Sequence, residues 1–299
     1  MDNDPPVPFS EPPYILGLPS PYYTPELLTW QKACRDFITE NLIKYAWQWE
    51  AEEYVPEHVF KKFAEARMLI PTLPSPLPVE ELKANGIHDI LGVVKVEDFT
   101  YFHCMIYNDE MARSGLGGPG ASLTTGMAFG VPPLIKFGSR YLKDKYLPEL
   151  FSGEKRACIA ITEPDAGSDV ANITTEAVKS ADGKKYIVNG TKKWITNGFW
   201  SEYAAMAVRT GGPGAKGLSM LWVPLKGNKG VEMRRLKVSG QISGGTTFIE
   251  LDDVEVPVEN LIGEEGKGMM MIMTNFKYVR TPSWVNERST NIFRTATSA

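Results

Sequence analysis

The feature that most constrains the fold is a change in hydrophobic period near the middle of the chain. Before Arg156, apolar residues recur at three-and-four spacing, which predicts amphipathic helices. After Arg156, short runs with two-residue alternation are separated by Asn-Gly, Asp-Gly and Gly-rich segments, which predict strands joined by tight turns. Because 299 residues are many for one core, we expect two domains. The change of period predicts an α+β protein, with an all-helical unit followed by an antiparallel β-sandwich or small β-barrel.

The pattern divides the chain into four segments. Residues 1–23 are rich in proline and predict an extended arm on the surface. Thr24-Pro25 then opens a helix, because threonine caps a helix N-terminus well and proline fits its first position. We expect an all-helical domain over residues 24–155, a β domain over residues 156–265, and the start of a further helical domain over residues 266–299.

Composition narrows the class of protein. The net charge of −4 gives no electrostatic case for nucleic acid or an anionic membrane. Three scattered cysteines indicate reduced thiols in an intracellular compartment, and three histidines without ligand spacing predict no metal site. No apolar run approaches the ~20 residues of a membrane span, and the acidic start fits no secretory signal or transit peptide. The cytoplasm is the default compartment, with mitochondria and peroxisomes left open.

The glycine-rich run Gly115-Leu-Gly-Gly-Pro-Gly120 superficially resembles a dinucleotide-binding motif. The preceding pattern is helical rather than a strand, and Pro119 stands where the helix of that motif should begin. We therefore predict a loop between two helices.

A cluster of turn-forming residues follows the short apolar run at Cys158 to Ile161. Its sequence, Thr162-Glu-Pro-Asp-Ala-Gly-Ser-Asp169, points backbone amides and hydroxyls into one concavity. Gly167 can adopt positive φ and lets a ligand approach the backbone closely. Such a turn is suited to a phosphate or to a polarised carbonyl edge.

A second segment, Lys193-Trp-Ile-Thr-Asn-Gly198, offers a flat aromatic wall. Two-residue alternation places Trp194 and Thr196 on one face of a strand, where they would suit a planar heterocycle with polar edges. The simpler alternative is that Asn197-Gly198 forms a hairpin turn and Trp194 packs in the core.

Taken together, the two segments resemble the flavin-binding middle domain of the acyl-CoA dehydrogenase family, which carries ITEPxAGSD followed by KxWITNG. Residues 131–138 and 252–263 also resemble that family. The resemblance covers roughly residues 27–280 and implies a helical N-terminal domain, a β domain and a C-terminal helical bundle. Because little chain follows, we expect a C-terminally truncated member with that bundle largely missing.

The resemblance implies FAD as the cofactor. Ile161 and Thr162 would contact the pyrimidine edge of FAD. Gly167 and Ser168 would approach its pyrophosphate, with Ser168 also near the acyl-CoA.

In the same way, Trp194 would stack on the isoalloxazine ring, and the hydroxyl of Thr196 would bond its reactive nitrogen. Enzymes of this family transfer hydride from the β-carbon of an acyl-CoA thioester to the flavin, while a carboxylate removes the α-proton.

Some relatives carry that carboxylate immediately before an Arg on the first long helix after the β domain. Here Val279 stands before Arg280, but Asn286-Glu287-Arg288 follows shortly afterwards. Glu287 is therefore the candidate base, and Arg280 is a candidate for binding the substrate.

The leading hypothesis is an acyl-CoA dehydrogenase that passes electrons to an acceptor partner. A homo-oligomer is typical of the family, but the expected truncation removes much of the interface. Two alternatives stay open: a non-catalytic module that binds flavin, acyl-CoA or another chain, and a relative of the acyl-CoA oxidase type.

Overall fold

The structure is a computed structural model that describes residues 17–280, with side chains described as far as Phe276. Most of the predicted arm, residues 1–16, lies outside the described part, as does the candidate base Glu287.

The first half of the described chain is helical, as predicted. Thr24 caps the first helix through its side chain, which accepts the amide of Leu27 at 3.4 Å. The helix is interrupted by a π-helical turn, Thr39–Ile43, before it resumes at Ala46. The helices are α1 (Pro25–Ile38), α2 (Ala46–Ala51), α3 (Glu57–Glu65), α4 (Val79–Ala84), α5 (Tyr101–Ala112), α6 (Gly117–Thr125), α7 (Pro132–Phe137), α8 (Arg140–Phe151) and α9 (Gly268–Arg280).

The predicted loop at the glycine-rich run is wrong, because α6 begins inside it at Gly117. Pro119 lies in the first turn of α6, where no amide has a partner within the helix, so proline removes no hydrogen bond there. Gly118 allows a close approach: a Cβ on it would lie 2.0 Å from Oε2 of Glu50 and 2.4 Å from Oγ of Ser243.

The second half of the described chain is a mostly antiparallel sheet, and the α+β class is confirmed. A small pair, β1 (Asp89–Ile90) and β2 (Val94–Lys95), precedes it. Within the described residues the main sheet has the order β10-β7-β6-β4-β5-β9-β8, and β3 pairs with β6 in parallel. Its strands are β3 (Ala157–Ala160), β4 (Glu176–Lys179), β5 (Lys185–Ile195), β6 (Tyr203–Arg209), β7 (Leu218–Pro224), β8 (Val231–Arg235), β9 (Thr247–Pro257) and β10 (Leu261–Ile262).

The dipeptide Asn189-Gly190 is typical of a turn, but it lies inside β5. Gly190 has a φ of 144°, and a Cβ there would lie 2.7 Å from the Cα of Thr175. Glycine is therefore required at this position because the strand bulges here and another backbone segment approaches closely.

Strand β6 is buried on both faces. Ala205 and Ala207 pack into the core formed with the helices, whereas Ala204, Met206 and Val208 pack into the core of the β part. The sheet and the helical part are therefore in direct contact.

The π-helical turn that follows α6, Gly126–Gly130, lies against β3. A Cβ on Gly126 would be 2.4 Å from the carbonyl oxygen of Ala157, and one on Gly130 would be 2.9 Å from the carbonyl carbon of Cys158. Glycine at both positions brings the helical part beside the start of the candidate site.

Candidate functional site

The two segments singled out from the sequence are neighbours in the structure. The amide of Lys193 donates to the carbonyl oxygen of Thr162 at 2.9 Å. The ammonium group of Lys192 donates to the carbonyl oxygen of Ile161 at 3.0 Å. The end of β5 therefore lies beside the chain that leaves β3.

Residues 163–169 form a tight turn with an exposed tip. Glu163 and Ala166 exchange two backbone hydrogen bonds, of 3.1 and 3.3 Å, and Gly167 and Ser168 beyond them are exposed. Gly167 does not have the positive φ that we considered, but a Cβ on it would meet no atom within 4 Å. Its contribution is open space next to the backbone.

Trp194 lies on a bulge rather than in a regular strand. The register between β5 and β9 shifts between Lys192 and Ile195, and Trp194 has a φ of 63°. Its side chain is 52% exposed, and the ammonium group of Lys193 lies 4.7 Å from its ring centroid. Trp194 therefore does not pack in the core.

Thr196 follows the end of β5, so the prediction that it shares one strand face with Trp194 is wrong: the bulge breaks the two-residue alternation. The next residue, Asn197, has a φ of 63° and is buried, and its amide donates to the carbonyl oxygen of Gly244 at 2.9 Å. The hairpin interpretation of Asn197-Gly198 is also wrong, because the next strand, β6, pairs with β3, β4 and β7 rather than with β5.

Among residues 17–280, several polar groups around the two segments have no hydrogen-bond partner in the protein. In the described part of the chain, the structure gives no hydrogen bond to the side-chain hydroxyls of Thr162, Ser168 and Thr196. The Oδ1 atom of Asn197 is buried and also lacks a partner among these residues. Of these groups, the hydroxyls belong to residues that are exposed or half-buried and can meet a polar ligand, whereas the Asn197 oxygen is closed off from solvent.

Two residues of the site were missed from the sequence: Glu163 and Lys192. Nζ of Lys192 lies 2.8 Å from Oε1 of Glu163, and the side chains are 0% and 4% exposed. The signal was available, because two-residue alternation from Tyr186 and Val188 places Lys192 on the buried face of β5.

The environment shifts the pKa of both groups. Burial alone would raise the pKa of Glu163, but the charge of Lys192 and several hydrogen bonds outweigh it and lower that pKa to about 2. Burial lowers the pKa of Lys192 to about 8, although Glu163 acts in the opposite direction. At neutral pH the two groups form a charged pair.

Arg209 holds the far end of the turn. Its guanidinium donates to the carbonyl oxygens of Ile173 at 3.0 Å and Ala171 at 2.7 Å. No local pattern predicts this role, because these partners lie 36 and 38 residues away along the chain.

A cavity of about 360 Å³ lies in the helical part. Thr124, Ala128 and Phe129 line it, together with residues of α5 and of the segment 72–75. The same helical segment touches the site, since a Cβ on Gly126 would lie 3.2 Å from Nδ2 of Asn197.

Arg280 ends α9, and Asn275 joins this helix to the helical part by donating to the carbonyl oxygen of Phe129 at 3.0 Å. Within residues 17–280, every helix is too short or too polar to span a bilayer. Over the same residues, no cluster of three or more His, Cys, Asp or Glu could hold a metal ion.

Two family models match the chain on either side of Arg156. The acyl-CoA dehydrogenase N-terminal domain matches residues 24–154, and the acyl-CoA dehydrogenase middle domain matches residues 158–254. Together they cover more than half of the sequence. The chain belongs to the acyl-CoA dehydrogenase family.

Individual relatives agree with this assignment. The chain is 68% identical, over 92% of its length, to the acyl-CoA dehydrogenase apdG of Emericella nidulans, and spans 62% of that relative. It superposes on the crystal structure of a putative acyl-CoA dehydrogenase from Mycobacterium smegmatis with a TM-score of 0.75 and 34% identity, covering 87% of this chain and 64% of that one. An acyl-CoA dehydrogenase from Bacillus anthracis, solved in complex with FAD, gives a TM-score of 0.73 at 27% identity, covering 89% and 42% of the two chains.

Proposed function

We propose that this chain binds FAD and takes part in the oxidation of an acyl-CoA thioester, in the manner of acyl-CoA dehydrogenases. The observation that carries the proposal is the half-exposed Trp194 on a bulge with positive φ, in a segment whose neighbouring hydroxyls have no partner among the described residues. A large aromatic side chain held outward, with polar groups at its edge, fits one face of a planar heterocycle. The FAD bound by the Bacillus anthracis relative supports the choice of ligand.

Four residues of the turn would hold the edges of the cofactor. Ile161 and Thr162 would contact the pyrimidine edge of the ring, and Gly167 and Ser168 would approach the pyrophosphate. The empty space beside the backbone of Gly167, and the hydroxyls of Thr162 and Ser168, which have no partner in the part of the chain that the structure describes, support these roles.

Trp194 would stack on the isoalloxazine ring, and the hydroxyl of Thr196 would donate to its reactive nitrogen. FAD, when bound, supplies the acceptor for the hydride that leaves the β-carbon of the acyl group. The chain's own part is to orient the ring and to exclude water from one of its faces.

The substrate would lie between the β part and the helical part. Ser168 and Arg280 would contact the acyl-CoA. The cavity lined by Thr124, Ala128 and Phe129 would take the acyl group, because Gly126, in the same helical segment, lies close to Asn197. Glu287 would remove the α-proton. A carboxylate in a dry pocket suits that step, since burial raises its proton affinity toward that of the weakly acidic α-carbon.

The whole activity further requires an electron-acceptor partner and, by analogy with the family, assembly of several copies. We also propose the domain limits predicted above, residues 24–155 and 156–265, because helices fill the first range and strands the second.

The test is a flavin spectrum. The purified chain is mixed with FAD, freed of unbound cofactor, and titrated without oxygen with saturated acyl-CoAs of increasing length. Retained flavin that bleaches on addition of an acyl-CoA is the expected result. Flavin that is retained but never bleaches contradicts the catalytic part, and complete loss of flavin contradicts the whole proposal.

A further inference from the structure

The ion pair of Lys192 and Glu163 is removed from solvent, which is costly for charged groups. Taking each charge out of water costs several kcal/mol, and well-packed apolar residues of similar volume are often as stable or more stable. Stability alone therefore does not explain why charged residues occupy these two positions. The hydrogen bonds that both side chains make to the surrounding backbone explain it.

The carboxylate of Glu163 closes the neck of the turn. Besides Lys192, it accepts the backbone amides of Thr174 at 2.6 Å and Thr175 at 3.0 Å, and the hydroxyl of Thr174 at 2.9 Å. The exposed tip at Gly167-Ser168 lies between these attachment points along the chain. One carboxylate thus fixes both ends of the segment that carries the tip.

Lys192 fixes the other segment. Its ammonium group bonds the carbonyl oxygen of Ile161 as well as Glu163, and two residues later the chain reaches Trp194 with its positive φ. A bulky residue in that region is strained by about 1–3 kcal/mol and persists only where its surroundings fix the backbone. Lys192 fixes the backbone before Trp194, and the pairing of Ile195 with Thr247 fixes it after Trp194.

We propose that Lys192 and Glu163 are positioning residues for the flavin proposed above. Through the backbone of residues 161–163, 174–175 and 192–194, the pair holds Trp194 and the Gly167-Ser168 tip in one relative placement, so that a single ligand contacts both. The inference rests on the proposed function. An apolar pair of similar size keeps the core filled but loses the hydrogen bonds that set the placement.

The placement of Trp194 can be measured without any cofactor. The chain has seven tryptophans, and fluorine NMR of protein labelled with fluorotryptophan resolves them, with Trp194 assigned by Trp194→Phe. The test variants are Lys192→Met and the double variant Lys192→Met/Glu163→Leu, which leaves no buried charge unpaired. The matched control is Lys185→Met, which removes the exposed ion pair with Glu255 from the same strand.

We expect the Trp194 signal to shift or split in both test variants, while the other tryptophan signals and the Lys185→Met spectrum stay unchanged. An unmoved Trp194 signal in the folded double variant overturns the inference.

A titration with FAD then connects the placement to the ligand. The double variant is expected to bind FAD about tenfold more weakly than the unsubstituted chain, and Lys185→Met is expected to bind it equally well. Equal affinity of the double variant overturns the inference even if the Trp194 signal moves. If the unsubstituted chain itself binds no FAD, the proposed function fails, and the fluorine signal alone decides whether the pair holds Trp194.

Discussion

The amide of Ser243 donates to Oε2 of Glu50 at 3.2 Å, which joins the end of α2 to a turn of the β part. The hydroxyl of Ser243 bonds the same oxygen, and the amide of Ile242 donates to Oε1 at 2.7 Å. We predict that Glu50→Ala lowers the free energy of unfolding by about 2 kcal/mol, because two backbone amides lose their acceptor. Urea denaturation measures the change.

The control for this prediction is Glu52→Ala in the same segment. Glu52 is exposed and accepts one hydrogen bond, from Gln48 one turn earlier, so its loss should cost no more than about 0.5 kcal/mol. Equal costs for the two variants would show that the hydrogen bonds of Glu50 to Ile242 and Ser243 contribute nothing to stability.

Two glycines of α6 give a second, internally controlled prediction. Gly120→Ala should stabilise the protein by about 0.5–1 kcal/mol, since a Cβ there meets nothing within 4 Å and alanine favours helix. Gly118→Ala should destabilise it by about 1 kcal/mol or more, because the new Cβ displaces Glu50 from Ser243. Thermal unfolding of both variants tests the opposite signs, and two stabilised variants would contradict the close approach at Gly118.

Trp194 and Thr196 are expected to decide flavin retention. Trp194→Ala should weaken FAD binding about tenfold, because a stacked ring loses its partner, and Thr196→Val should shift the flavin spectrum through the lost hydroxyl. Far-UV circular dichroism should not change for either. Trp47→Ala is the control, since Trp47 is 72% exposed and lies on α2, outside the candidate site. If all three variants retain flavin equally, the stacking role of Trp194 is excluded.

Stability in acid should depend on Glu163. Its pKa is lower in the folded chain, about 2, than the ordinary value of 4.5, so the carboxylate stabilises the fold above pH 4.5 and that contribution is lost as the pH falls toward 2. The loss amounts to about 3 kcal/mol over this range. Glu163→Gln should be less stable at neutral pH and should show a shallower decline between pH 4.5 and 2. Parallel declines for the two proteins would contradict the lowered pKa.

The elements that depend on local sequence could be predicted. The cap at Thr24 and the change of period at Arg156 act through near neighbours, so the helix start and the order of helical and β parts followed from the sequence. The bulge at Trp194 could not be predicted, because its backbone is fixed by Lys192 and by pairing with β9. Glycines were misread for the same reason: Gly118 and Gly190 serve contacts with distant chain rather than turns.

The site was predicted less completely than the fold. The turn-forming residues and Trp194 could be singled out by residue type, but Glu163 and Lys192 could not, because charged residues ordinarily lie at the surface. Glu163 and Lys192 are 29 residues apart, and only the pairing of strands brings them together. Two-residue alternation along β5 marked Lys192 as buried, and a buried lysine requires an acidic partner.

The double burial of β6 has a consequence for how the molecule comes apart. Its alanines face the helices at Ala205 and Ala207, while Met206 and Val208 face the opposite way into the β part. If the helical part separated, one face of β6 would be exposed to water while the other face remained buried in the β part. The strand would then lose half of the apolar contacts that hold it in place. Heat or denaturant should therefore unfold both parts in a single cooperative transition, and a protease should not cleave between them before the whole chain unfolds.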